Sequence, residues 1–235
     1  MTITLYERVG GSQDHRPSPF SWRARYALAH KGLAVGEHVP VKFHDKQTIA
    51  FSGQGLVPVL VDGETVVPDS WAIAVYLERT YPDRPSLFGG PHAQELTHFV
   101  NCWADQALMP AVFPLVIADL HANIAEDDKA YFRETREKRL GRSIESFAGD
   151  RAAFEANLAK VLAPLRTRLT DRPFVAGDEP AYADYAVFSI FQFARCASPT
   201  PILAADDALR AYVDRVSELF DGLGASCRRL ERLVA

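Results

Sequence analysis

The spacing of hydrophobic positions changes once along this chain. Up to about residue 80, short β-branched runs alternate with helix-like segments; beyond Gly90, apolar residues recur at helical spacing and convincing strands are lacking. Ile3-Thr4-Leu5-Tyr6 reads as a first strand. Ser18 then offers an N-cap, Pro19 a first-turn proline and Gly32 a stop for a helix over Phe20 to His30. His38 to Phe43 reads as a second strand, and Pro40, which has no N–H for a ladder, suggests an edge or an irregular start. Val57 to Val61 and Thr65 to Val67 flank Asp62-Gly63-Glu64, a hairpin signal that makes these two strands antiparallel. From Ser70, the residues Trp71, Ile73, Ala74 and Leu77 share one helical face until Tyr81-Pro82 ends it.

The stretch from Tyr81 to Pro91 has the proline and glycine content of a linker. It divides the chain into residues 1–81, a linker at 82–91 and a helical part at 92–235. In that last part Leu96, Phe99, Val100, Trp103 and Ala107 follow the i, i+3, i+4, i+7 rule, and Pro110 and Pro114 should kink or end their helix. Further helices are expected over 130–142 (charged and solvated), 152–169, 182–195 (apolar nearly all round, hence central) and 206–220. The order β-α-β, an irregular stretch, then β-β-α is that of a thioredoxin-like domain. The predicted fold class is therefore an α/β thioredoxin-like domain followed by an all-helical domain.

Composition narrows the function classes. The 235 residues carry 26 Lys+Arg against 30 Asp+Glu, a net charge of −4, which argues against a phosphate-backbone binder; nucleic acid is not an expected partner. A bilayer span needs roughly 20 apolar residues in a row. Charged residues break every apolar stretch sooner, so no membrane partner is expected. The N-terminus lacks a basic segment followed by an apolar core, and a cytoplasmic location is the default expectation. Cys102, Cys196 and Cys227 are widely spaced and odd in number, which suits reduced thiols and matches neither a disulfide framework nor a zinc pattern; no metal is expected. Residues 1–80 hold eight Lys+Arg and eight Asp+Glu, so the whole acidic excess lies in the helical part.

Three places could carry chemistry. The connection from Glu7 to Pro17 is long against the usual strand-to-helix loop of about 2–6 residues, and it ends at Ser18. A serine at a helix start stands beside free amides and the positive end of the helix dipole, where an anion such as a thiolate is stabilised; simple capping is its other role, and Ser21 is a competing hydroxyl. Val57-Pro58 follows the Gly-rich approach Gly53-Gln54-Gly55, with the proline isomer open. Asp69-Ser70 precede the next helix, where a carboxylate, a hydroxyl and free amides either cap it or hold a ligand bearing both an ammonium and a carboxylate.

Four motifs in order, Ser18-Pro19-Phe20, Gly55-Leu56-Val57-Pro58-Val59-Leu60, Asp69-Ser70 before a Trp-containing helix, and Ala176-Gly177-Asp178 leading to Ala183-Asp184-Tyr185, resemble the glutathione S-transferase family. The run from Ser18 to Gly32, with Asp69 to Ala74 and Tyr81 to Pro85, is most similar to its bacterial β-aryl-etherase and fungal etherase-related members. The resemblance implies glutathione as co-substrate. It implies that Ser18 donates to the glutathione sulfur, that the Val57 backbone before a cis Pro58 pairs with the cysteinyl peptide, and that Asp69 and Ser70 hold the γ-glutamyl end. For the glycine carboxylate, Lys42, His44, Lys46 and Gln54 are all candidates. A thiolate so formed would attack an aromatic electrophile, with ether cleavage the preferred subtype and no cysteine before Cys102 to support a thiol-transfer mechanism. The second pocket is expected between the domains, against the 8–17 loop, Phe99, Trp103 and Phe113. A homodimer is likewise implied, through the Ser70–Tyr81 helix and the His92 helix. The rival is a non-catalytic protein that binds glutathione or aromatic ligands. One departure stands out: relatives cap the central helix with Ser or Thr three residues before the Asp, whereas here Ala181 leaves Asp184 without that partner.

Overall fold

The computed structural model describes residues 2–230. Strand β1 (Ile3–Arg8) is followed by α1 (Pro19–His30), β2 (Val35–Val41), a 3₁₀ segment (Gln47–Ser52), β3 (Val59–Asp62), β4 (Thr65–Pro68) and α2 (Ser70–Thr80). The sheet order is β2-β1-β3-β4, with β1 and β2 parallel and the other pairs antiparallel. β2 is an edge strand, which is where Pro40 is tolerated. One face of the sheet buries Ile3, Leu5 and Leu60 under Trp22, Ala24 and Leu28 of α1 and Ile73 and Leu77 of α2. The other face carries a small cluster of Val41, Ile49, Val57 and Val59, with Tyr6 packed against it.

The helical domain contains α3 (Pro91–Trp103), α4 (Met109–Asn123), α5 (Glu126–Leu140), α6 (Arg151–Val161), α7 (Ala163–Arg168), α8 (Tyr182–Ala197) and α9 (Leu209–Ser217). This N-terminal thioredoxin-like sheet domain with a helical C-terminal domain is the predicted class. Helix α8 is buried along nearly its whole circumference and forms the centre of the second domain, packed on α1, α3 and α4.

Three helix boundaries differ from expectation. The helix from Pro91 does not end at Pro110. A π-helical turn over Ala104–Leu108 widens the backbone just before it, and the helix runs on to Asn123 with Pro114 inside. The extra residue in the turn removes the N–H demand and the ring clash that proline makes in regular α-geometry. By length and composition this 33-residue helix could cross a membrane, yet half of its apolar window is buried and Val112, Val116 and Ile117 lie in the protein core. The expected 152–169 helix is broken at Leu162 because Pro164 cannot donate to the preceding turn. The expected 206–220 helix stops at Ser217, and Phe220 takes a left-handed φ of 54° that lays its ring beside Tyr26 at 5.8 Å and Tyr185 at 6.0 Å.

At Asp184 the missing cap partner is only half the account. Its carboxylate is fully buried and accepts from Val175 N (2.7 Å), Ala176 N (3.2 Å), Ala181 N (3.1 Å) and the Tyr212 hydroxyl (3.2 Å), so it orders the loop before α8. Burial nevertheless pushes its pKa up, because the desolvation outweighs these hydrogen bonds.

A second buried carboxylate organises the start of α1. Glu7, at the end of β1, pairs with Arg25 of α1 (2.5 Å), His38 of β2 (2.8 Å) and, at 3.6 Å, Arg16 of the connecting loop. Burial alone would raise its pKa, but hydrogen bonds from Arg25 and His38 and the charges of Arg25 and Arg16 bring it from 4.5 down to about 2. A pKa depressed on folding stabilises the protein above the unfolded value and loses that contribution as pH falls from 4.5 through 2. Glu7→Gln should therefore destabilise the protein at pH 7, on the order of 3 kcal/mol in urea unfolding, with the gap to wild type closing below pH 4.5. Ala181→Ser should add roughly 0.5–2 kcal/mol in the same experiment by completing the α8 cap.

Candidate functional site

Sheet register brings the three predicted segments to one end of the sheet. β1 leaves the sheet at Arg8, level with Val41 at the end of β2. On its other side Tyr6 faces Val59, the first residue of β3, and Val59 faces Pro68, the last of β4. The 9–18 loop, the chain from Lys42, the Val57-Pro58 approach and Asp69-Ser70 all border this end, and α1 and α2 both begin here.

Ser18 is the N-cap of α1, with extended backbone and a hydroxyl that accepts from Ser21 N at 3.3 Å. Its first turn contains no acidic residue, so the positive end of the α1 dipole is not compensated from within the helix. Arg16, two residues earlier, has a buried Nη1 with no hydrogen-bond partner among the described residues. Ser21, the competing hydroxyl, is buried and accepts from Arg8 N at 3.3 Å; it ties α1 to the end of β1.

The Val57–Pro58 peptide is cis and both residues are buried. Asp69 N donates to Pro58 O at 3.2 Å, which joins the second and third segments directly. Asp69 has φ 76°, a left-handed value uncommon outside glycine, and its Oδ1 accepts from Trp71 N (2.8 Å) and Ala72 N (3.0 Å). Non-glycine residues held in this region concentrate at ligand clamps, and the second carboxylate oxygen makes no hydrogen bond among the described residues. Ser70 is buried, and its carbonyl accepts from Tyr182 of α8 at 2.9 Å, which pins the start of α2 to the helical domain.

The candidates for a terminal carboxylate are mostly engaged elsewhere. Lys42 pairs with Asp127 of α5 at 2.5 Å, Lys46 donates to Gly55 O at 2.5 Å, and His44 Nδ1 meets Asp128 at 2.6 Å. Of the four, Gln54 has a side chain without a hydrogen bond among the described residues. The ligand atoms of His44, Asp127 and Asp128 lie within 4.8 Å of one another, but Lys42 already pairs with Asp127 and His44 with Asp128.

The residues expected around a second pocket scatter. Phe113 is buried in the core and stacks on Phe193 at 6.2 Å. Phe99 projects from α3 at 73% exposure and Trp103 is partly buried. Sequence reasoning missed Glu7, whose only signal was a carboxylate inside an apolar strand, and the joining of Cys196 to Cys227, for which their separation gives none.

Comparison with known proteins agrees with this geometry. Residues 17–80 match a family model described as the glutathione S-transferase N-terminal domain, and residues 96–223 match one for the glutathione S-transferase C-terminal domain. A zeta-class glutathione S-transferase of Euphorbia esula is 32% identical over 117 residues, 48% of this chain and 52% of that protein. Glutathione S-transferase 4 of Zea mays is 29% identical over 216 residues, 88% and 84% of the two chains. The alignments to the first curated relatives span about half of those proteins or less. Among solved structures, glutathione transferase GSTFuA3 from Phanerochaete chrysosporium superposes with TM-score 0.76 at 25% identity, over 98% of this chain and 99% of that one. CsGST63524 of Ceriporiopsis subvermispora, solved in complex with glutathione, gives 0.77 at 23% identity over 95% and 93%, which concerns the fold. With both of its halves matched, in order, by the two domain models, the chain belongs to the glutathione S-transferase family.

Proposed function

We propose that this protein is a glutathione transferase in which Ser18 activates the glutathione thiol for attack on an aromatic electrophile. The observation that carries the reading is the state of the Ser18 hydroxyl. Its oxygen accepts the Ser21 amide, so its own proton is left to donate, at the uncompensated N-terminus of α1. Ser21 lacks that freedom of position, since its oxygen faces Arg8 N inside the domain. In this reading the Val57 backbone beside cis Pro58 pairs with the cysteinyl peptide, and Asp69 and Ser70 take the γ-glutamyl end. Gln54 holds the glycine carboxylate in preference to Lys42, whose ammonium is paired with Asp127. The domain division at 81 and 92 belongs to the same proposal.

A hydrogen bond to a charged acceptor is worth about 1.5–3 kcal/mol and a helix N-terminus about 0.3–1 kcal/mol. Together they lower a thiol pKa of about 8.5 by roughly 1.5–3 units, raising the thiolate share at neutral pH from a few per cent to about half or more. The thiolate then displaces the leaving group of the electrophile. For the etherase-type substrate that the Ser18 to Gly32 run suggests, the sulfur bonds to the carbon next to a ketone, the carbon–oxygen bond breaks, and the aryloxide leaves and takes a proton as a phenol.

Two experiments test this. Turnover of a β-aryl ether ketone, followed by phenol release, should require glutathione. Ser18→Ala should cut kcat about 10–1,000-fold and move the alkaline-rising limb of the pH profile upward, as expected when one donor to a developing or resting anion is lost. Turnover unchanged in Ser18→Ala would reject the serine role, and glutathione binding with no turnover of any aromatic electrophile would leave a binding protein.

We further propose a homodimer formed through α3. Leu96 and Phe99, three residues apart on one helical face, are 71% and 73% exposed, an apolar pair suited to a partner surface. Light scattering should give twice the 26.0 kDa chain mass, and Phe99→Glu should shift it toward 26.0 kDa; a monodisperse wild-type monomer overturns the proposal.

A further inference from the structure

Cys196 and Cys227 are 31 residues apart, and the fold brings their sulfurs to 3.0 Å. Cys196 lies fully buried in the last turn of α8, while Cys227 lies in the partly exposed chain that follows α9, outside any helix. The segment around Cys227 is docked on the long loop that leads to Ser18. Arg228 donates to Ser12 Oγ at 2.8 Å and approaches Asp14 at 3.5 Å, and His15 of the same loop bonds to the Cys196 carbonyl at 2.7 Å. The two thiols therefore meet where α8, the C-terminal segment and the 9–18 loop come together.

Their environments differ. The hydrogen bond shared with Cys196 draws the Cys227 pKa down, burial opposes its ionisation, and the cations of Arg25 and Arg16 favour it. That hydrogen bond and complete burial push the Cys196 pKa up. A partly exposed cysteine whose ionisation its neighbours favour, 3.0 Å from a fully buried one whose ionisation is opposed, is the arrangement of an attacking and a resolving cysteine.

We propose that Cys196 and Cys227 form a peroxide-sensitive dithiol that closes to a reversible intrachain disulfide. The Cys227 thiolate attacks one oxygen of a hydroperoxide; the O–O bond breaks, and the departing hydroxide or alkoxide is protonated. Cys227 becomes a sulfenic acid. The Cys196 sulfur then bonds to the Cys227 sulfur, the S–O bond breaks, and the oxygen leaves as water with the Cys196 proton. With hydrogen peroxide the two thiols lose two electrons and the oxidant becomes two waters; a dithiol reductant reverses the change. A disulfide bond is about 2.05 Å long, so the sulfurs need to close by about 1 Å, a movement within reach of a cysteine outside regular structure. Closure fastens the segment around Cys227 to α8. This inference does not rest on the role proposed for Ser18.

The full-length protein should be treated with a small excess of hydrogen peroxide, trapped with N-ethylmaleimide and digested without reduction. Expected are an intact mass lower by two hydrogens, one remaining titratable thiol of three, assigned to Cys102, and a cross-linked peptide joining Cys196 to Cys227, all reversed by dithiothreitol. Cys227→Ser, at a partly exposed position, should abolish the cross-link with an unchanged circular dichroism spectrum, and Cys102→Ser should leave it intact. Three free thiols after treatment, a sulfinic acid at Cys227 with Cys196 still free, or a cross-link through Cys102 each overturn the proposal.

Discussion

The arrangement of the two domains turns on one buried guanidinium. Arg23 of α1 has no solvent exposure, and its nitrogens reach Asp105 (2.7 Å), Ser189 Oγ (3.0 Å), Asn101 Oδ1 (3.1 Å) and Ala186 O (3.3 Å). A charge removed from water to this depth is tolerated only when its donors are met, and breaking such a set typically costs about 3–5 kcal/mol. Because the partners lie on α3, the π-turn and α8, satisfying Arg23 allows α1 a single rotation and height against the helical domain. Ser18, one and a half turns before it, takes its position from that constraint.

The same requirement gives a reason for the π-turn. Asp105 sits within Ala104–Leu108, and Asn101, one turn earlier, donates to it at 3.1 Å while accepting from Arg23. A single insertion in the helix thus presents an acid to the cation and prepares the backbone for Pro110. Further contacts between the domains repeat the theme of polar groups satisfied across the boundary: Tyr182 to Ser70 O, and His30 with Tyr185 at 2.6 Å.

At the sheet end the logic is division of labour among groups that look alike in sequence. Ser18 and Ser21 are both hydroxyls in the first turn of α1, yet one faces the sheet and one the helix mouth. Lys42, His44 and Lys46 all resemble anion ligands, yet each is held by an acid or a carbonyl of this chain. Glu7 collects Arg16 and Arg25, keeping two cations close to the loop while cancelling part of their charge. The electrostatics of the site therefore depend on pairings formed beneath it.

Local regularities were legible in the chain: the strand-helix order, the Asp62-Gly63 turn, the Ser18 and Asp69 caps and the apolar faces of α2 and α8 all follow from spacings of two to four residues. Where an expected helix bound failed, the cause was local at Leu162, where Pro164 interrupts the ladder, and at Pro110, where a π-turn precedes the proline, whereas at Phe220 the ring packs against the distant Tyr26 and Tyr185. The joining of Arg23 to Ser189 across 166 residues, the meeting of Cys196 with Cys227 and the different partners of the Ser18 and Ser21 hydroxyls were decided only by the tertiary structure. Periodicity records which face of an element is buried. Which partner that face meets is settled only when every buried donor, acceptor and charge has to be satisfied at once.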